Sequence, residues 1–113
     1  MAVKSVDLKE MAAKNNGEYV FGSAETGSRA CYMVYGMLKP GEKDREIKPG
    51  KGHEELLLAA AGNLMVSGDY NGMIEEGSVI HLRGDQTCYL ENNGDGEAVY
   101  IISGGHSGRG HRH

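Results

Sequence analysis

No tryptophan occurs among the 113 residues, phenylalanine occurs once, and proline and cysteine occur twice each. Cys31 and Cys88 are too few for the disulfide framework of a small secreted domain, so each reads as a small buried hydrophobe or as a ligand. No stretch approaches the roughly 20 apolar residues of a membrane helix. The opening MAVKSVDLKE has no apolar run of signal-peptide length, so a cytoplasmic protein is the expectation. Like charges form no run either: 16 acidic and 12 basic residues, a net charge of −4, are dispersed along the chain. That dispersal gives no basic patch to recruit nucleic acid or an anionic membrane. Also missing are the G-x-S-x-G elbow of serine hydrolases, the phosphate-cradling G-x4-G-K-[S/T] loop and paired Cys-x2-Cys sites.

What the chain does have is glycine, 18 residues of it without a three-residue period. This implies many tight turns between short strands and an all-β fold. The length suits one domain that buries about two-thirds of its unfolded surface. One short helix is predicted at the N-terminus, where Asp7 can cap, Glu10 follows three residues later, and Leu8, Met11 and Ala12 share a face. Asn15-Asn16-Gly17 stops it. Strands are then predicted at Tyr19–Phe21, Ala30–Leu38, Glu55–Ala61, Leu64–Tyr70, Ser78–Leu82, Thr87–Glu91 and Ala98–Ser103. Leu56 to Ala61 is a continuous apolar run that periodicity cannot assign, and its flanking glycines and short length favour a strand. Asn71-Gly72 suits a two-residue type I′ hairpin. Pro40 to Gly52 reads as one long exposed loop. Residues 1–104 form the expected domain, and 105–113 a His- and Gly-rich flexible tail.

The segment from Gly77 to Asn92 has the spacing G-x5-P-x-G-x2-H-x3-N, with Gly77 and Asn92 matching in kind. Arg83 stands at the proline, Asp85 at the second glycine (Gly84 lies one position early), and Cys88 at the histidine. Upstream, Glu55 and Gly62 fit the ending E-x6-G of a companion motif, and Pro40-Gly41 fits a pair that often precedes it. In order and separation these segments resemble the two motifs of the cupin superfamily, over about residues 30 to 103. The resemblance implies a double-stranded β-helix, or jelly-roll barrel, with Glu55 and Cys88 facing its cavity. It also implies a metal cage of three histidines and a glutamate, of which only Glu55 is present in kind: the usual His-x-His positions hold Pro49 and Lys51, or Lys48 and Gly50.

His53 lies two residues before Glu55, and in a strand such residues share a face. His53, Glu55 and Cys88, with His81 or His106, make a ligand set suited to zinc, iron or nickel. The alternative is that His53 caps the loop, Glu55 bonds a neighbouring strand or a lysine, and Cys88 is a small apolar residue. In that case the barrel has lost the cage and binds a small molecule or a protein partner. His81 faces the cavity or solvent according to a one-residue choice of register. His106, His111 and His113 lie in the tail, which either binds metal, delivers a ligand to the barrel mouth, or is disordered. Lys48 and Lys51 can meet an anionic ligand or simply face water. Tyr32, Met33, Val34, Tyr35 and Met37 place large side chains on both faces of one strand, which fits burial of one face by the core and the other by a partner subunit, or core packing alone. A homodimer is also what the resemblance implies.

Overall fold

The computed structural model describes residues 3–107. Its elements are α1 (Leu8–Ala13), β1 (Glu18–Phe21), α2 (Ser23–Thr26), β2 (Cys31–Leu38), β3 (Arg45–Ile47), β4 (His53–Ala61), β5 (Leu64–Gly68), β6 (Gly72–Ile74), β7 (Val79–Arg83), β8 (Cys88–Glu91) and β9 (Ala98–His106). No described helix is long and apolar enough to cross a membrane. Asp7 caps α1 as predicted, accepting the Glu10 N–H at 3.1 Å. The helix then ends on the left-handed pair Asn16 (φ 59°) and Gly17 (φ 90°), with the Gly17 N–H closing onto the Ala12 carbonyl.

The strands form two antiparallel sheets, ordered β1-β2-β9-β4-β7 and β3-β8-β5-β6. Alternation along each strand sends one set of side chains inward. Leu57 and Ala59 of β4 are fully buried, while Leu56, just before them, is 48% exposed. The apolar run is therefore an interior strand of its sheet, between β9 and β7, with a register shift between Ala59 and Ala61. Leu38, Ile47, Leu64, Val66, Leu90 and Tyr100 join Leu57 in one core between the sheets. This is the jelly-roll architecture expected of the chain.

Two strands escaped prediction because pairing, not composition, creates them. β3 lies inside the expected 40–52 loop: only Ile47 of its three residues is buried, and it pairs opposite Cys88. β6 pairs Gly72 with Val66, which leaves five residues (67–71) between the partners rather than two. The type I′ expectation is thus corrected. Asn71 does not have the positive φ that such a turn demands; Gly68 does, at 106°. The reason is tertiary: β5 continues along β8 to pair Gly68 with Cys88, and Asp69 and Thr87 exchange hydrogen bonds that hold the chain there. Asn71 instead donates its amide to the Gly68 carbonyl. Strand β9 also runs to His106, so Gly105 and His106 are strand residues rather than tail, while His111 and His113 lie outside the described residues.

Two cross-strand pairs between β2 and β9 shape the interior. Tyr32 sits opposite Gly104, and Gly36 opposite Tyr100. A Cβ on Gly104 would stand 2.3 Å from the Tyr32 ring, and one on Gly36 only 1.9 Å from the Tyr100 ring. Each glycine lets an aromatic ring lie flat across the neighbouring strand, so both phenol hydroxyls reach inward.

Candidate ligand-binding site

A cavity of 380 Å³ opens beside the edge strands β1 and β3, over an apolar floor that includes Val34 and Ile102. Its polar lining includes Glu18, Tyr32, Glu46, Lys48, His53 and Glu55. Glu55 is placed by the inward parity of β4, and the residue is only 7% exposed. The Tyr32 hydroxyl donates to Glu55 Oε2 at 2.5 Å. Glu55 Oε1 is buried and has no hydrogen-bond partner.

Burial pushes the Glu55 carboxyl above the usual carboxylate range; Tyr32 and His53 pull it back, and Glu18 adds to the rise. Burial and the same carboxylate hold the Tyr32 phenol well above its ordinary range, so it remains a donor. A second tyrosine–carboxylate pair lies nearby. Tyr100 donates to Glu18 and accepts from Arg45 Nη1 at 2.8 Å. Arg45 also donates to the Met37 carbonyl, which fixes β3 against β2.

The residues singled out from sequence do not converge. His53 and Glu55 line the same cavity, as their spacing predicts. His106 pairs with His53 at the strand ends, with ring centroids 5.0 Å apart. Cys88 does face inward, but it is fully buried in the apolar core and is absent from the cavity lining; burial pushes its thiol up. His81 points to the outer face, where Nε2 meets Glu54 Oε1 at 2.8 Å. Lys48 reaches the cavity wall, and Lys51 does not line it. Tyr32, on a strand whose large side chains left its direction open from sequence, turns inward to Glu55. Its place opposite a glycine in the glycine-rich end of β9 was the signal, legible only with the pairing in hand.

By sequence the chain matches no family profile and no curated protein. Its structure is similar to several solved ones. A Thermus thermophilus protein shares 16% identity over 92% of this chain and 98% of its own, with a TM-score of 0.68. The cupin domain of an XRE-family transcriptional regulator from Enterobacter cloacae shares 18% over 80% of this chain and 98% of its own, with a TM-score of 0.65. The chain has the cupin fold. A cupin-superfamily sugar phosphate isomerase from Silicibacter pomeroyi aligns too, with 19% identity over 91% of this chain and 68% of its own, and a TM-score of 0.61. Similarity at this level of identity concerns the fold alone.

Cupin barrels suggest a metal, and the donors can be tested for fit. Among the described residues no three His, Cys, Asp or Glu side chains stand where they can share one ion. Cys88 is committed to the core and His81 to the outer face, so the four-donor cage does not fit this cavity. What the cavity offers is a buried carboxylate braced by a phenol, an imidazole beside it, and two further carboxylates and one lysine in its lining.

Proposed function

We propose that this cupin barrel binds a small polar molecule whose N–H or O–H group completes the hydrogen bonding of Glu55. The observation that carries the reading is the unpartnered, buried Oε1. A buried acceptor left without a donor costs about 1–3 kcal/mol, so a ligand that supplies one recovers that free energy on binding. Tyr32 fixes the carboxylate plane by holding Oε2, and Val34 and Ile102 supply the apolar contact usual in such sites. The excess of carboxylates over Lys48 favours polyols and amines over anions. The reading supports a binding barrel without a metal cage and assigns no reaction.

A thermal-shift screen of small polyols, amino sugars and amines tests it, since a ligand of the folded state raises the melting temperature. Hits are expected to lose most of their shift in Glu55→Ala and part of it in Tyr32→Phe. Hits that shift Glu55→Ala as much as wild type would overturn the assignment.

A further inference from the structure

The strand ends of β4 and β9 carry a feature the cavity reading does not use. His53 and His106 are direct cross-strand partners, their ring centroids 5.0 Å apart and their planes tilted by 35°. Both also line a concavity on the rim of the barrel, with Tyr32, Cys31 and Arg29. We infer that His53 and His106 form a two-imidazole site for a divalent transition ion at the rim, separate from the interior position of a cupin cage.

The geometry can be checked from bond lengths. An imidazole nitrogen binds zinc at about 2.0–2.1 Å, and the ring centre lies about 1.1 Å beyond it, so two rings on one ion have centroids about 4.5–5.2 Å apart for angles between square and tetrahedral. The observed 5.0 Å falls inside that interval. The ring torsion of histidine is broad, so both nitrogens can turn toward a common point without moving either strand. Imidazole donors suit zinc, copper and nickel. With two protein ligands the ion keeps open positions, and Arg29 on the same concavity offers a counter-charge to an anionic co-ligand. Tyr32 meets the His53 ring edge-on at 5.8 Å and so ties the rim to the Glu55 carboxylate below. The inference does not depend on what the cavity binds.

The test is titration of the full-length protein with Cu²⁺ alone, followed by calorimetry and electron paramagnetic resonance. To silence the two histidines near the chain end, it is done in a His111→Ala/His113→Ala background. One ion per chain, with nitrogen hyperfine structure from two imidazoles, is expected. Affinity should fall at least tenfold in His106→Ala and in His53→Gln, and remain unchanged in His81→Ala. His106 is exposed, so its variant tests the site without disturbing the fold. Loss of binding in the His111→Ala/His113→Ala background would overturn the inference, as would affinity unaffected by either rim variant.

Discussion

Two tyrosines stand opposite glycines on the same pair of strands, and each gives its hydroxyl to a glutamate, yet the two pairs end differently. Tyr100 sits between Glu18 and Arg45, whose guanidinium lies 5.9 Å from its ring centre, so its hydroxyl is matched by an acceptor and a cationic donor. Tyr32 has Glu55 alone, and Glu55 keeps one buried oxygen unmatched. The difference separates a structural device from a site: satisfied networks brace a core, whereas an unsatisfied buried group in a cavity is an unfilled hydrogen bond.

That contrast can be broken most forcefully at Tyr100. Replacing it with alanine removes a fully buried ring and strands Arg45, and a loss of about 3–5 kcal/mol is expected in urea unfolding. Next in size is Tyr32→Phe, which leaves both oxygens of Glu55 without a donor and should cost about 1–3 kcal/mol at neutral pH. Tyr100→Phe should cost less than Tyr32→Phe, because Arg45 and the partly exposed Glu18 find other partners. If the order is reversed, the distinction between the two pairs fails.

A smaller effect of opposite sign is expected from Glu55→Gln. The folded pKa of Glu55 is raised, so the folded chain holds a proton that the unfolded chain has already released. Its contribution to stability therefore falls as pH rises from the unfolded value through the folded one. Glu55→Gln should be more stable than wild type at neutral pH, with the gain shrinking toward acid pH; stability curves at several pH values check this. The smallest effect concerns the thiols. Cys31 is exposed and Cys88 buried with its thiol pushed up, so in the native protein one alkylation should go fast, and the second only at the rate of unfolding.

Much of the fold was legible along the chain. Asp7 and the Asn16-Gly17 stop were readable because caps depend on neighbours within one turn. The parity of β4 placed His53 and Glu55 on one face because a strand has a period of two. Pairing across the sheets was less visible. β3 has a single buried apolar residue in a charged segment, so no local pattern marks it. Asn71-Gly72 carried a hairpin signal that lost to the hold of β8 on Gly68 and Asp69.

By itself, then, the sequence determined the all-β class and the residue types available for a site, which follow from local composition and periodicity, while its resemblance to the cupin motifs implied the inward direction of Glu55 and Cys88. Only the tertiary structure decided that Cys88 joins the core while Glu55 meets Tyr32, that His81 faces outward, and that His53 meets His106. Each of those depends on which strands lie side by side, and that is set by long-range pairing that no window of neighbouring residues contains.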